Sequence, residues 1–340
     1  MATSRRLHAT LQLTPYVHCT SKCVRGAFLC GIDRTTGVNY THRRDWLRQR
    51  VLELADIFSI KLLAFSILEN HFHVVLKVDQ DTADDWTDHE VLVRWHKLYK
   101  GTELSRKAVQ GDCLNQIESK LLAKNINRWR CQLYDISWFM RCTKEPLARK
   151  SNKEDGCKGR FWEGRFYSQA LLDLKAVISC MVYVDLNPLR AKMVTFPEKD
   201  KHTSLHYRTN LISKDLSLEK TLPKGLMGLE KLFGNAAIEQ STELSTVDYL
   251  SLVDQTARET RKEKRGVLLS TATPILERLG VNLGNWEQLE HNFNHKFYKF
   301  VGGTFSLDNA CRHLGLKSIW GRKTCRKFFD TQLTVRTIAT

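Results

Sequence analysis

No stretch of the chain carries the roughly 20 consecutive apolar residues that a membrane-spanning helix needs, so none is expected. The opening MATSRRLHATLQLTPYVHC has basic residues but no apolar stretch of secretory-signal length. A Gly-rich loop ending in Gly-Lys-Ser/Thr is also missing, which removes the usual phosphate cradle of ATP-driven enzymes. There are ten cysteines but no CxxC pair. Cys19, Cys23 and Cys30 lie close together, yet their spacing is a poor match to a structural zinc site. With no signal segment, the thiols read as reduced, in a cytoplasmic protein. Internal repeats and low-complexity tracts are absent as well.

What is present is length, apolar content and positive charge. The 340 residues, 42% hydrophobic, suffice for two domains with a real core. Lys and Arg outnumber Asp and Glu by 53 to 37, a net +16. A surplus of that size favours a polyanionic partner, above all nucleic acid, over a charge kept only for solubility.

Pattern gives the element order. LTPYVHCTS (13–21) alternates and ends in a polar, basic turn, as a first strand does. RRDWLRQRVLELADIFSI spaces Trp46, Leu47, Val51, Leu54 and Ile57 for a helix ending near Phe58. KLLAFSIL and HFHVVLKV are two β-rich runs joined by Glu69 and Asn70, a hairpin. From about 79 to 152 the chain is polar and helical in pattern, an insertion whose Trp138, Phe139 and Leu147 pack on the core. FYSQALL is a further strand, and LKAVISCMVYVDLNPLRAKMV a helix challenged at Pro188. The first 201 residues therefore predict an α+β, ferredoxin-like (RRM-like) antiparallel sheet with helices on one face. Residues 202–340 read as a mainly helical, basic accessory region: KDKHTSLHYRTNLISKDLSLEK irregular, then helices in GLMGLEKLFG, TVDYLSLVDQTARETRKEKRG, ILERLGVNLGNWEQLEHNFNHKFYKFVGG and ACRHLGLKSIWGRK.

Chemistry concentrates in two short stretches. In ENHFHVVLKV, strand alternation points His71 and His73 to one side and Phe72 to the other. Such a pair is either two metal ligands or two polar residues on a wet sheet face. In AVISCMVYVDLNPLRA, Tyr183 and Asn187 stand four apart, one turn of helix. They supply either a phenolic nucleophile beside an amide oxygen, or an ordinary core tyrosine and a helix-closing asparagine.

PYVHCTSKCVRGAFL, ILENHFHVVLKV, GRFWEGRFYSQALL and YVDLNPLRAKMV, taken in order over roughly 13–197, resemble the HUH superfamily of single-strand DNA transposases, above all its REP-associated tyrosine transposase branch. The resemblance implies that His71, His73 and Asn187 hold a divalent ion, Mg²⁺ or Mn²⁺, and that Tyr183 attacks a phosphodiester to form a 5′-phosphotyrosine link. Imidazole suits Mn²⁺, whereas Mg²⁺ prefers oxygen. The implied substrate is single-stranded DNA, often folded into palindromic hairpins, and the working form a monomer or homodimer. Glu69 precedes the motif as a turn residue or supporting acid. His18 of the first strand either lines the sheet face beside the site or is an exposed strand histidine.

Arg160, Trp162, Arg165 and Phe166 interleave cations with rings near the site, where base stacking would contribute about 1–3 kcal/mol per base. Trp162 and Phe166 are equally readable as core. Lys22, Arg25, Arg43 and Arg44 are further candidates for the DNA backbone, and GRKTCRKFF in the C-terminal region is another. The alternative to a DNA-cleaving enzyme is a domesticated nucleic-acid-binding protein of the same fold. A small-molecule metalloenzyme would need another acidic ligand, for which Glu69 alone is thin support.

Overall fold

The computed structural model describes residues 11–212, 221–229, 232, 244–260 and 299–329. The first strand, β1 (Tyr16–Lys22), leads through a short turn at Val24–Gly26 to helix α1 (His42–Ile57). Strands β2 (Ile60–Ile67) and β3 (His71–Val78) form the expected hairpin, with Glu69 and Asn70 in its turn. Five helices follow before the next strand: α2 (Gln80–Asp85), α3 (Asp88–Leu98), α4 (Glu103–Gln110), α5 (Gln116–Gln132) and α6 (Ile136–Glu154). Their starts are written locally, since Thr87 with Glu90 and Asn115 with Glu118 form reciprocal capping boxes. Then come β4 (Tyr167–Leu171), α7 (Leu174–Asp185) and a one-turn α8 (Asn187–Arg190).

The sheet runs in the order β2-β3-β1-β4, all neighbours antiparallel, and is extended past β4 by β5 (Phe300–Val301) in parallel. The sheet is therefore mixed rather than antiparallel. The segment HNFNHKFYKFVGG was expected to be helical; its described end is this strand, while residues 261–298 lie outside the described residues.

Helices cover both faces, not one. Val17 and Cys19 of β1, with Phe72, Val74 and Leu76 of β3, pack against α1 and the inserted helices; Phe139 of α6 meets Phe58 at 5.5 Å. The opposite face, with Val75 of β3 and Leu171 of β4, packs under α7. That second core takes in the C-terminal elements: α9 (Ser204–Ile212), α10 (Thr246–Thr260), α11 (Thr304–Leu314) and α12 (Arg322–Phe329). A β-bulge between Leu62 and Ala64 switches β2 from one alternation to the other, so Leu62 and Phe65 share one face while Leu63 and Ala64 meet the other.

Two expectations for the C-terminal half fail for identifiable reasons. Ser204–Ile212 is a helix, because Ser204 and the Leu205 amide close on the buried carboxylate of Asp185, which also accepts from Tyr249 at 2.6 Å. GLMG is not helical. It runs along the free edge of β2, bridging Leu226 to Leu62, with Gly225 at φ +85° against Ala55 where a Cβ would clash.

Arg43 and Arg44 are not available to DNA. Arg43 is fully buried, donating to Glu154 at 2.8 Å, to Asp155 and to the Leu29 carbonyl, and so ties α1 to the end of α6. Arg44 donates to the Ile67 carbonyl at 2.8 Å and to the buried Asp200 at 2.7 Å. Removing one partner of such a pair strands the other charge, costing about 3–5 kcal/mol. Arg44→Ala is therefore expected to lower unfolding stability by about that amount in urea titrations, whereas Lys22→Ala, at an exposed position, changes it by less than about 0.5 kcal/mol.

Candidate functional site

Strand alternation builds the site. On the sheet face under α7, β1 presents His18 and Thr20, β3 presents His71 and His73, and β4 presents Gln169. Register places Thr20 opposite His73 and His18 opposite Gln169. His18 and His73 are thus diagonal neighbours, their rings stacked at 5.2 Å and joined by an Nε2–Nδ1 hydrogen bond of 3.0 Å. His71 lies edge-on to His73 at 5.0 Å. Above them, α7 lowers Tyr183 to 5.6 Å from the His73 ring and 6.2 Å from that of His18.

Asp173 positions that helix. Its carboxylate caps α7 through the Ala176 amide at 2.9 Å and holds the Gly303 amide beyond β5 at 2.8 Å. At the other end the helix pauses at Leu186, which keeps near-helical angles, so the chain continues into α8 despite Pro188. Proline fits there because it enters the first turn of a new segment, where its missing N–H costs nothing. Asn187 is buried, and its Nδ2 lacks a hydrogen-bond partner among the described residues. No hydrogen bond joins its side chain to the histidines among those residues.

Every histidine here is held neutral. Burial pulls His18 and His71 down to about 4, with Lys22 adding to the effect at His71. His73 falls well below its usual value through burial, then repulsion from His71, His18, Lys22 and Arg190. These causes also show the site to be electropositive. Arg190 sits over the Tyr183 ring at 4.8 Å and donates to the Tyr183 carbonyl at 3.2 Å.

The donor set bears on the implied metal. His73 Nε2 is buried without a hydrogen-bond partner among the described residues, as an imidazole awaiting a ligand would be. Asn187 offers a buried amide whose O and N exchange by a half-turn. No group of three or more His, Cys, Asp or Glu able to hold a metal ion occurs among the described residues. His71, His73 and Asn187 carry donor atoms of types that suit a divalent ion, but no hydrogen bond joins Asn187 to the two histidines among the described residues.

The other sequence candidates separate. His18 is fully buried, which excludes an exposed strand histidine. Trp162 is core: it packs on Phe72 at 5.5 Å, and its indole N–H donates to the Lys144 carbonyl at 3.0 Å. Phe166 is half-buried against the same core. Arg160, just before Trp162, and Arg165, between Trp162 and Phe166, are exposed. Lys22 is exposed and pairs in register with His71, and Arg25 is exposed at φ 53° in the adjoining turn. Glu69 lies in the hairpin turn with its side-chain carbons against Gly31 and makes no hydrogen bond to His71 or His73 among the described residues. Of the C-terminal GRKTCRKFF, Phe328 and Phe329 are core while Arg322, Lys323, Arg326 and Lys327 are exposed. Gln169, Thr20 and Arg190 escaped the sequence reading. Gln169 was recoverable from alternation in YSQAL, and Arg190 from its place two turns after Tyr183.

Fold and site together define an α+β protein with a buried histidine–tyrosine centre on an electropositive sheet face. No family model and no curated protein matches the chain. Among solved structures it is similar to one described as a REP-associated tyrosine transposase bound to a REP hairpin. The identity is 12%, the TM-score 0.34, and the match covers 62% of this chain and 93% of that one. That is a distant structural relationship. Among the described residues, no helix is long and apolar enough to cross a membrane.

The buried imidazoles make stability pH-dependent. Unfolded, each titrates near 6.5; folded, His18 and His71 titrate near 4. The stability that depends on neutral rings is thus complete above about pH 6.5 and is lost as pH falls through 4. Urea midpoints are expected to drop between pH 7 and pH 4, and His18→Gln should remove on the order of 2–3 kcal/mol of that dependence. Equal pH slopes for the two proteins would refute this account.

Proposed function

We propose that the chain is a metal-dependent endonuclease or transposase acting on single-stranded DNA, with Tyr183 as nucleophile. The reading includes a ferredoxin-like core in β1 to β4 and a hairpin-forming repeat as substrate. One observation carries it: a phenol is held beside two neutral histidines and a guanidinium, with a buried imidazole nitrogen unpartnered.

Each group has a part. His71, His73 and the Asn187 oxygen would hold the divalent ion, Mn²⁺ or Mg²⁺. When bound, that ion neutralises charge on a non-bridging phosphate oxygen. Lys22 and Arg190 supply further positive charge toward the phosphate. Tyr183 Oη forms a bond to phosphorus as the bond from phosphorus to the 3′ oxygen breaks, leaving a 5′-phosphotyrosine. The phenolic proton is lost and the departing 3′ oxygen gains one, so protons balance across the step. The phosphodiester is conserved in the tyrosine ester, so rejoining needs no nucleotide.

Tyr183 is 8% exposed, so α7 and α8 must shift for a DNA strand to reach it. That burial also favours the second reading, a protein that binds nucleic acid with this fold but no longer cuts. Incubation with single-stranded hairpin DNA and Mn²⁺ separates the two. A protein–DNA adduct is expected with the natural chain and none with Tyr183→Phe. Arg190→Ala should lower the rate of adduct formation about 100- to 1,000-fold, the size expected for one lost charge-stabilising donor in a transition state. Hairpin binding without any adduct would overturn cleavage.

A further inference from the structure

A side-chain amide oxygen faces a ring nitrogen of His71, and another faces a ring nitrogen of His18, the hydrogen-bonded neighbour of His73. Asn70 Oδ1 lies 2.6 Å from His71 Nδ1, and Gln169 Oε1 lies 2.9 Å from His18 Nδ1. An amide oxygen only accepts, so the facing nitrogen must carry the proton. The orientation of Asn70 is fixed independently, because its Nδ2 donates to the Gly26 carbonyl at 3.2 Å. His71 therefore carries its proton on Nδ1 and its lone pair on Nε2.

The second case runs through one more ring. A neutral imidazole has a single N–H. With Nδ1–H of His18 given to Gln169, His18 Nε2 can only accept, and at 3.0 Å its partner is His73 Nδ1. His73 then donates from Nδ1, and its lone pair too is left on Nε2, the atom with no partner among the described residues. The Thr20 hydroxyl, 3.1 Å from His73 Nδ1 and 3.4 Å from His18 Nε2, fits this pattern by donating to His18 or accepting from His73.

We infer that Asn70, and Gln169 acting through His18, are positioning residues that lock His71 and His73 in the Nδ1–H tautomer and so leave both Nε2 lone pairs available to one divalent cation. A strand-borne histidine pair by itself leaves the tautomers open, and a ring protonated on Nε2 cannot bind a metal through that atom. Hydrogen bonds behind a ligand also orient the ring and raise its basicity, and losing one commonly weakens metal affinity 10- to 100-fold. The cation-binding half of the inference rests on the function proposed above; the tautomers do not.

The test uses the full chain free of metal. ¹⁵N–¹H correlation of the imidazoles is expected to show protonated Nδ1 and unprotonated Nε2 for His18, His71 and His73. An Nε2–H tautomer at His71 or His73 overturns the inference whatever the fate of the catalytic reading. Mn²⁺ titration followed by electron paramagnetic resonance is the second arm. Gln169→Leu and Asn70→Ala should each weaken Mn²⁺ binding 10- to 100-fold, while Asn70→Asp, which keeps an acceptor oxygen, should restore binding. Unchanged affinity in both apolar variants overturns the positioning role. If a variant fails to fold, the spectrum of the natural protein still decides the tautomers. Natural protein with the expected tautomers that binds no Mn²⁺ would sink the metal reading alone.

Discussion

A row of polar side chains is buried between the sheet and α7, and burial allows each of them few ways to be satisfied. His18, Thr20, His73 and Gln169 are almost fully enclosed, and an unpaired polar group in such a place costs on the order of 1–3 kcal/mol. Cross-strand register resolves this by setting His18 between Gln169 and His73. A slip of one residue in β1 would turn His18 and Thr20 into the opposite core and bring Val17 and Cys19 under α7. The register of the central strand, the geometry of the polar row and the neutrality of its imidazoles are thus one constraint seen three ways. The approach of Tyr183 depends on it, since α7 packs on that same face.

The helix that carries Tyr183 is held from outside the first 201 residues as well as from within. Asp185, two residues beyond the tyrosine, is fully buried and receives hydrogen bonds from Ser204, Leu205 and Tyr249. Burial raises its carboxyl above the ordinary range, and nearby Arg208 works against that. Arg208 is itself buried, donating to the Leu63 and Met227 carbonyls and lying 5.6 Å from the Tyr249 ring. The C-terminal helices thereby complete the core above the polar row, and β5 extends the sheet beside β4. Any movement that exposed Tyr183 would have to be compatible with that buried carboxylate network.

The positive surplus divides into two populations with different physics. Arg43, Arg44 and Arg208 are interior residues, each spending its fixed fork of donors on backbone carbonyls or carboxylates. Lys22, Arg25, Arg160, Arg165 and the cations of α12 are exposed and contribute to the field a phosphate would meet. Net charge counts both populations alike, so it overstates what is available to a polyanion. The interleaved rings divide in the same way: Trp162, equally readable as a stacking ring or as core, fills the core against Phe72.

Local pattern determined a good deal. Alternation gave the hairpin, the shared side of His71 and His73, and the turn of Phe72 into the core on the opposite face. Helical spacing gave α1 and the helix that carries Tyr183, although that helix ends at Asp185 and Asn187 opens the next one. All of these are decided by neighbours within a few residues. Other features were settled only by contacts from far along the chain. Arg43 is buried because Glu154 and Asp155 come to it from more than a hundred residues away, and Ser204–Ile212 is helical because Asp185 accepts from its first turn. The parallel β5, the bridge from Leu226 to the edge of β2, and the cover on the second sheet face are of the same kind. The sequence by itself determined which side chains could share a face; tertiary structure decided which shared faces became a site, because proximity across strands and burial under a helix are not properties of any one segment.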